Sequence, residues 1–454
     1  MGFTELLSKF AIVARLAYWA STFIPPCGWL RKYKNSLSLI HERRSAAVVV
    51  STMPSSVRIA ISSLCNYRCL FCEIHKDEVL YPKRAATFLN LSDIVAWSSF
   101  LGDASAISFF GGSAEPLMNK AFPEIIKYLK RRFNSRLMIN TNGRLLREQI
   151  ADSMVDCGFD EVLLSYHAGT TEGYKKLMTG DVDAVDANIA DLTRKRRDAK
   201  SNKPFLRFNF ALHKANADEA LVVVRKAKSL GVDEILINRY HGGRNLLSHD
   251  LVAFDLDIAN GNRALDRIYA EAAVVGTALN PQRPAYWETS PSADKWSDAD
   301  FDSDQVCSYP WTDLHFDPCL DSPRTFFVGQ CNRIQLFRLN IDELPLDNKK
   351  NVRLLWNHPV LQYLRKTVNT ASCNSLCRYC KNRCRESVRN IDESTYSRLR
   401  DDAIRRFFVE FRAHATYEEI PGLRVLEDNP DSDERYMRAS AEKLIAVSGP
   451  SRNG

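Results

Sequence analysis

The chain has 454 residues, of which 45% are hydrophobic and 26% are charged. This length and composition suit a globular protein with one large core and two or three domains, and they exclude a chain that is disordered throughout. Lys and Arg number 62 against 55 Asp and Glu, which gives a formal charge of +7. So mild an excess favours an anionic ligand but does not require nucleic acid.

Residues 1–54 are predicted to form an N-terminal extension built around one amphipathic helix. Its apolar residues recur at helical spacing: Phe3, Leu6, Leu7, Phe10, Val13, Ala14 and Ala17. Arg15 interrupts the stretch, which is too short to span a membrane and has no secretory cleavage site. The helix is therefore expected to pack on the protein body or, as the second option, to lie on a membrane surface. The sequence predicts a cytoplasmic protein, with peripheral membrane contact in the second case.

Residues 55–280 alternate short β-rich runs with amphipathic helical stretches. The runs are "VRIAIS", "AISFF", "RLMINT", "EVLLSY", "FLRFNFAL" and "DEILIN". Successive strand-then-helix units predict an α/β fold whose parallel sheet is curved into an open barrel or doubly wound. Chemistry in such folds sits in loops at the carboxyl ends of the strands.

Three further segments follow the predicted barrel. Residues 281–304 are polar and contain Pro, which indicates a linker. Residues 305–390 are rich in cysteine and need little regular structure if metal holds them. Residues 391–454 are predicted to form a charged helix, over 393–413, and a polar tail that is disordered.

Twelve cysteines are the unusual feature of the sequence, and ten of them fall in two groups. The first group is Cys65, Cys69 and Cys72, and the second is Cys307, Cys319, Cys331, Cys373, Cys377, Cys380 and Cys384. A disulfide framework is typical of much shorter secreted chains with a signal peptide. Metal ligation in a reducing compartment is the better interpretation.

The first group, in "CNYRCLFC", follows the first predicted strand directly. Three thiolates on one short loop can hold three corners of a single iron-sulfur cubane, which leaves one iron without a protein ligand. An open metal position is where substrate or cofactor chemistry can occur. A structural zinc site with His75 as the fourth ligand is the alternative, and spacing alone leaves both open.

The loops after the next strands are polar and lie at the same end of the sheet. In "FFGGSAEPLMN", Gly111 and Gly112 allow the backbone to approach a ligand, and Glu115 can bind an ammonium group. The following strands end in "NTNG" and "LSYHAGTTEGYKKLM". Together with the cysteines, these loops favour a ligand-binding centre over an isolated structural site.

This combination resembles the radical S-adenosylmethionine (SAM) superfamily over roughly residues 55–260. The matching features are CxxxCxxC with Phe71 before the last cysteine, a GGE-like motif and the "TNG" strand end. The resemblance implies a partial (β/α)6 barrel of parallel strands. It implies that Cys65, Cys69 and Cys72 hold a [4Fe-4S] cluster whose fourth iron binds SAM. An electron, from a donor such as flavodoxin or ferredoxin, then cleaves SAM to a 5′-deoxyadenosyl radical.

The resemblance also implies the residues that contact SAM. Phe71 would lie near the adenine, and Gly111, Gly112 and Glu115 would line the methionine end, although Ser113 and Ala114 stretch the motif. Ser165 would reach the carboxylate or ribose, and Asn142 and Asn209 are further candidates. His167 stands where relatives often carry an acid. It is a candidate for substrate contact or proton transfer, and a structural histidine is the equal alternative.

The second cysteine group resembles a SPASM domain, a C-terminal extension that holds auxiliary iron-sulfur clusters. "CSYPWTDLHF" resembles its opening and "CNSLCRYCKNRC" its close. The resemblance implies one or two auxiliary [4Fe-4S] clusters in a small Cys-rich domain. The two-cluster assignment places Cys307, Cys319, Cys331 and Cys384 on one cluster and Cys373, Cys377 and Cys380 on the other. A single cluster with spare thiols is the alternative.

Two cysteines lie outside these groups. Cys157 is expected to be a small buried residue at a helix end, and Cys27 is less constrained. Either thiol could return hydrogen to a substrate radical only if it reached the barrel mouth.

The substrate is less well defined. SPASM relatives act on ribosomal peptides, sulfatase-type proteins, and sugars or aminocyclitols. The short extension before the barrel favours oxidation or epimerisation of a sugar-like or other small metabolite, and modification of a ribosomal peptide or protein is the alternative. Neither requires nucleic acid. A non-catalytic zinc-binding scaffold is a further alternative, but it gives the "GGSAEP" and "TNG" loops no role.

Overall fold

The structure is a computed structural model of the 454-residue chain. It describes residues 29–72, 78–80, 83, 85–110, 114–239, 258–284, 286, 306–330, 334–371, 373–380, 393–428, 430, 435, 438–439 and 442. Outside these ranges lie the predicted helix over residues 3–17 and most of the predicted linker. The predicted site residues outside them are Cys27, His75, Gly111, Gly112, Cys331 and Cys384.

A parallel sheet forms the centre of the protein. Its first strands are β1 Ser56–Ile59, β2 Ala106–Phe109, β3 Arg136–Thr141, β4 Glu161–Ser165, β5 Phe205–Leu212 and β6 Glu234–Arg239. Each pairs in parallel with the next, and a short strand, β7 Leu279–Asn280, is added beside β6. The prediction of an α/β fold with a partial barrel of parallel strands is confirmed.

Helices precede the sheet and connect its strands. They are α1 Trp29–Arg44, α2 Leu91–Ala96, α3 Ser98–Leu101, α4 Phe122–Phe133, α5 Gln149–Asp156, α6 Thr171–Met178, α7 Val182–Asp198, α8 Ala220–Ser229 and α9 Ile258–Val275. Local sequence sets their ends: Asn90 and Asp93 form a capping box at α2, and left-handed Asn134 ends α4. Within the described ranges, no helix is long and apolar enough to cross a membrane.

The strands place two sets of side chains on opposite faces of the sheet. Along β5, Leu206, Phe208 and Phe210 are buried under the helices, whereas Arg207 and Asn209 between them are half-buried. This alternation follows from the two-residue period of a strand. The half-buried set faces the inside of the barrel, which is called the lumen below.

Charged residues pair across the amino ends of four strands on the lumen face. Glu161 accepts hydrogen bonds from Arg136 and from Arg207, both at 2.6 Å. Arg207 also donates to Glu234 at 2.6 Å. Two cations and two anions therefore alternate across β3, β4, β5 and β6, and their charges cancel. These residues are called the charge ladder below.

The Cys-rich region has more regular structure than the sequence analysis predicted. Its elements are α10 Tyr309–Thr312, β8 Asp313–Pro318, β9 Thr325–Gln330, β10 Ile334–Asn340, α11 Lys349–Trp356, α12 Pro359–Thr367, α13 Ser375–Arg378, α14 Glu393–His414 and β11 Leu423–Val425. Strand β8 pairs in parallel with the free edge of β1, and β9, β10 and β11 continue antiparallel. One eleven-stranded sheet thus joins the barrel to the Cys-rich region.

A buried arginine joins the Cys-rich region to the chain after α1. Arg365, on α12, is 1% exposed and donates to the carbonyl oxygens of Pro310, Trp356 and Val48 at 2.9, 2.8 and 3.2 Å. Its guanidinium also lies 4.7 Å from the centre of the Trp356 ring. Burial lowers the pKa of Arg365 to about 9. The cation is held by backbone acceptors from three separate segments.

Replacement of Arg365 by alanine is expected to lower the free energy of unfolding by about 3–5 kcal/mol, because three buried carbonyl groups lose their donor. Lys366→Ala, at the exposed neighbouring position, is the matched control and should change it by less than about 0.5 kcal/mol. Urea unfolding measures both variants. Equal stability of the two variants would show that Arg365 does not join these segments.

Candidate active site

The first cysteine group lies on the loop after β1. Cys65, Cys69 and Cys72 are half-buried, and the Cys72 amide donates to the Cys69 carbonyl at 3.1 Å. Burial raises the pKa of the Cys69 thiol well above its ordinary value, and the nearby Cys72 and Cys65 raise it further. The three sulfurs are therefore near neighbours, as the loop spacing predicts.

Within the described ranges, no three His, Cys, Asp or Glu side chains converge closely enough to hold a single metal ion. A cluster with several irons is different, because each thiolate binds its own iron. Three clustered thiols with no carboxylate among the ligands are the donor set of an iron-sulfur cluster. His75, the fourth ligand of the zinc alternative, lies outside the described residues.

The loop is attached to the end of α6 by its backbone. The Leu70 amide donates to the Leu177 carbonyl at 2.9 Å, and the Arg68 amide donates to the Thr179 hydroxyl at 2.8 Å. Thr179 has a left-handed backbone and ends the helix. The helix after β4 thus fixes the cysteine loop after β1.

Close packing at Gly180 strengthens this attachment. Tyr67, between the first two cysteines, is 5% exposed, and its ring meets Tyr174 edge-on with centres 6.4 Å apart. A Cβ atom added at Gly180 would fall inside the contact distance of the Tyr67 ring. Only glycine allows the chain between α6 and α7 to lie against this ring.

Glu115 joins the loops after β1, β2 and β3. Its amide donates to the Leu64 carbonyl at 2.8 Å. Its carboxylate accepts hydrogen bonds from the Thr141 hydroxyl at 2.6 Å, the Asn142 amide at 2.8 Å and the Leu117 amide at 3.0 Å. Burial raises the pKa of Glu115 to about 6, and these three donors oppose the shift. The carboxylate, predicted to line the methionine end of SAM, is 2% exposed.

Asn142, a further candidate for SAM contact, is also bound to the loop. Its side-chain amide donates to the Asn66 side-chain oxygen at 2.8 Å, and its own oxygen accepts from the Arg144 amide at 3.0 Å. Asn66 directly follows Cys65. The "TNG" strand end therefore supports the cysteine loop from the side of β3.

An aromatic cluster lies beneath the last part of the loop. The Phe71 ring is 4.9 Å from the ring of His167, edge-on, and 5.2 Å from that of His213. His167 Nδ1 accepts from the Ala211 amide at 3.1 Å, which places the proton of the neutral ring on Nε2. Burial lowers the pKa of His167 to about 4 and that of His213 to about 3, so both are neutral at pH 7.

The side chain of Asn216 fixes the positions of the two histidines. It donates to the carbonyl oxygens of His167 and Ala211 at 3.0 and 2.9 Å, and it accepts from the His213 amide at 2.8 Å. The sequence analysis named His167 but missed His213 and Asn216. The sequence feature that indicates these two residues is "ALHKAN", in which a polar run follows a buried strand.

Neutral polar side chains form a belt across the upper lumen. Ser165 donates to the Asn140 side-chain oxygen at 3.1 Å, and Asn238 donates to that of Asn209 at 2.6 Å. Ser165 and Asn209 are direct neighbours on β4 and β5. These four residues are called the polar belt below. Ser165 and Asn209 were predicted site residues, whereas Asn140 and Asn238 were missed, although Asn140 is the next-to-last residue of "RLMINT" and Asn238 ends "DEILIN".

The auxiliary cysteines divide between the two edges of the sheet. Cys307 exchanges two hydrogen bonds with the Asn369 side chain, both at 3.0 Å. Cys373, four residues further on, is buried, and its thiol donates to the Val368 carbonyl at 3.3 Å. Cys377 and Cys380 follow on and after α13. Cys307 and the last described cysteines therefore gather beside the end of α12.

Cys319 lies elsewhere. It directly follows β8, whereas Cys307 precedes α10 and β8, and a six-residue strand spans about 20 Å. Cys319 is fully buried, and the neighbouring Leu320 carbonyl accepts from the Ala85 amide at 2.7 Å. The structure does not bring Cys319 to Cys307, with which the sequence analysis grouped it. Cys331 and Cys384, the other members of that predicted set, lie outside the described residues.

Cys157 lies at the end of α5 and before β4, at the amino edge of the sheet. Burial raises the pKa of its thiol to about 11. The cysteine loop is at the opposite, carboxyl edge, so Cys157 does not reach the barrel mouth.

Replacement of Gly180 by alanine is expected to displace Tyr67 and the cysteine loop, at a cost of about 1–3 kcal/mol in unfolding free energy. Iron bound per chain after anaerobic reconstitution should fall. Gly158→Ala is the control, because that position has φ near +66° but open space around its Cα. It should lose stability through backbone strain and keep its iron. Equal iron in both variants would exclude this role for Gly180.

The comparisons with known proteins agree with this geometry. Residues 59–255 match the model of the Radical SAM superfamily. A probable GTP 3′,8-cyclase of Metallosphaera sedula is 30% identical over 187 residues, which are 41% of this chain and 55% of that protein. One of Saccharolobus islandicus is 29% identical over 41% of this chain and 56% of that protein. The chain thus spans about half the length of these curated relatives.

Solved structures of low sequence identity also align. Streptococcus suis SuiB bound to S-adenosylmethionine is 15% identical over 75% of this chain and 73% of that chain, with a TM-score of 0.46. The structure of anSMEcpe with AdoMet and the Cp18Cys peptide is 16% identical over 87% of this chain and 99% of that chain, with a TM-score of 0.45. The family match covers the strands and loops that carry the cysteine loop, the Glu115 contacts and the polar belt. The chain contains a Radical SAM domain over residues 59–255.

Proposed function

We propose that this protein is a radical SAM enzyme that abstracts hydrogen from a small, uncharged, polyhydroxylated metabolite. The observation that carries the proposal is the position of three clustered thiols above a lumen with a neutral polar rim. The group they would hold is a [4Fe-4S] cluster, which supplies the electron that cleaves SAM to a 5′-deoxyadenosyl radical. Cys65, Cys69 and Cys72 are the proposed ligands.

The chain's own residues would orient SAM and substrate. Phe71, whose ring meets the neutral His167 edge-on, would lie near the adenine of SAM beside the cluster loop. The polar belt offers amide and hydroxyl groups that donate and accept hydrogen bonds, as the hydroxyl groups of a sugar require. Ser165 and Asn209 are the proposed SAM contacts, and Asn238, further round the sheet, is the proposed substrate contact.

The charges of the lumen support an uncharged substrate. The relatives named as GTP cyclases act, by their names, on a nucleotide that carries a triphosphate. In this chain the lumen arginines Arg136 and Arg207 are bound to Glu161 and Glu234. Arg58 stands beside the buried carboxyl group of Asp313. A triphosphate would have to compete with these carboxylates, which disfavours GTP as the substrate.

We further propose that an auxiliary cluster site lies at the amino edge of the sheet. Cys307, Cys373, Cys377 and Cys380 lie on the segments that meet at the end of α12. The antiparallel strand β9 ends at Gln330, beside the start of β8, and Cys331 is the next residue of the sequence. The Gln330 side chain is 1% exposed and makes no hydrogen bond within the described residues, which is consistent with a missing polar partner there. Cys319 is excluded from this site.

The primary test is reductive cleavage of SAM by the anaerobically reconstituted protein with a strong reductant. The parent and a Cys157→Ala control should form 5′-deoxyadenosine, and a variant with Cys65, Cys69 and Cys72 replaced by alanine should form none. Product from the triple variant would contradict the assignment of the cluster. If the loaded parent forms no product, calorimetry with SAM decides, because absent binding would refute the proposal.

The substrate class is tested by adding fractions of cell extract to the same reaction. Small-molecule fractions should stimulate cleavage, and stimulation by peptides alone would favour the alternative, modification of a peptide. Asn238→Ala should keep unstimulated cleavage but require about tenfold more of the active fraction, because one hydrogen bond to the substrate is lost. Oxidation and epimerisation are then distinguished by product analysis in deuterated water.

The auxiliary site is tested by iron and sulfide content. Cys307→Ser and Cys377→Ser should each bind about four fewer iron atoms per chain than the parent. Cys319→Ser is the matched control and should bind as much iron as the parent. Loss of iron in Cys319→Ser would contradict the proposed division and restore Cys319 to the ligand set.

A further inference from the structure

Helix α1 carries a row of apolar side chains that faces solvent. Leu30, Tyr33, Leu37 and Ile40 are 58, 51, 50 and 45% exposed. Their spacing of three, four and three residues places them in one stripe about 80° wide along the helix. These four residues are called the α1 crest. Four large apolar side chains in one exposed row are unusual on a protein surface.

The opposite face of α1 binds the protein body. Asn35 exchanges two hydrogen bonds with the backbone of Met53, both at 2.9 Å, and Leu39 is buried. Glu42 is the only acidic residue of the helix, and it is buried and accepts from the Ser51 amide at 2.6 Å. The helix is therefore fixed in orientation, and the crest is its outermost edge.

The exposed surface around the crest is basic. Lys34, His41, Arg43 and Arg44 are exposed on α1, and the helix has no exposed acidic residue. An apolar row flanked by cations is the pattern of helices that lie in the interface of an anionic bilayer. We propose that the α1 crest docks on an anionic lipid surface.

Charge decides between this occupant and two others. The preceding segment, residues 1–28, has an apolar stripe of its own but carries Lys9 and Arg15 against Glu5. If it folded back on the crest, it would add positive charge beside Lys34 and Arg44. A second copy docked crest to crest would likewise bring like charges together. Anionic headgroups complement the positive charge around the crest.

The crest also has a defined position relative to the candidate active site. Arg31 binds Asp103 at 2.7 Å, and Lys32 binds Ser135 at 2.9 Å. Asp103 and Ser135 precede β2 and β3, so α1 lies at the amino edge of the sheet. The cysteine loop is at the carboxyl edge. A docked protein would therefore present its active-site mouth away from the lipid, and its substrate would arrive from the aqueous side.

The test is flotation of the full chain with vesicles of phosphatidylcholine alone or with about 30% phosphatidylserine. The parent should float with the anionic vesicles, and the bound fraction should fall as salt is raised. The double variant Leu37→Glu/Ile40→Glu should reduce the bound fraction at least roughly fivefold, because it places carboxylates against anionic headgroups. Val274→Glu is the matched control, since Val274 is an 83% exposed apolar residue on α9, and it should bind like the parent.

Two results would overturn the proposal. In one, the parent and the Leu37→Glu/Ile40→Glu variant float equally, which would assign binding to another surface. In the other, the parent does not bind anionic vesicles. Its molar mass in solution then identifies the occupant: a dimer that the double variant abolishes indicates a second copy, and a monomer indicates residues 1–28. Unfolding temperatures equal to that of the parent verify that the variants fold, and the outcome is independent of SAM cleavage.

Discussion

The buried carboxylate of Glu115 is the contact on which the geometry of the site depends. Through its amide and both carboxylate oxygens, this one residue joins the loops that follow β1, β2 and β3. A buried carboxylate without donors would be strongly destabilising, so the contacts with Thr141 and Asn142 must form for the fold to be stable. The relative position of the three strand ends is thereby determined by the protein itself. A cluster and SAM would bind to loops already held in place.

The cysteine loop is held from two further directions. Thr179 and Gly180, at the end of α6, attach its first half, and the rings of His167 and His213 pack beneath Phe71 in its second half. These contacts come from β4, β5 and the helix between them. Because the supports belong to separate strands, a distortion of the barrel changes the loop. This explains why a cysteine loop only eight residues long requires a whole barrel to hold it.

The sequence predicted those parts of the fold that depend on local pattern. Alternating strand and helix periods predicted the parallel barrel, and cysteine spacing predicted the thiol cluster. Strands β8 to β11 were missed because β8 pairs with β1, which lies more than 250 residues away in sequence, and no local pattern reports that pairing. Cys319 lies twelve residues from both Cys307 and Cys331, so spacing did not separate it from them. The direction of β8, which runs between Cys307 and Cys319, separates these two residues.

The roles of residues whose partners lie on other strands were likewise not predictable from the sequence. Glu115 was assigned to a ligand because its motif suggests one, and two of its three donors, Thr141 and Asn142, become visible only when β3 lies beside β2. Asn140 and Asn238 end hydrophobic runs, where a polar residue ordinarily marks the beginning of a loop. Register places them on the lumen face with Ser165 and Asn209. A polar residue at the end of a strand can be assigned to the lumen face only once the curvature of the sheet is known.

The charge ladder is the main argument for the proposed uncharged substrate. Arg207 binds Glu161 and Glu234 at the same time, so an anionic ligand that drew it away would remove an ion-pair partner from both carboxylates and leave Glu161 with Arg136 alone. That loss offsets the gain from the new ion pair, since a half-satisfied buried charge is strongly unfavourable. A neutral ligand leaves the ladder intact and needs only the hydrogen bonds of the polar belt. The proposed preference for a neutral, hydroxylated substrate therefore rests on the charge ladder at the floor of the barrel and on the polar belt at its rim.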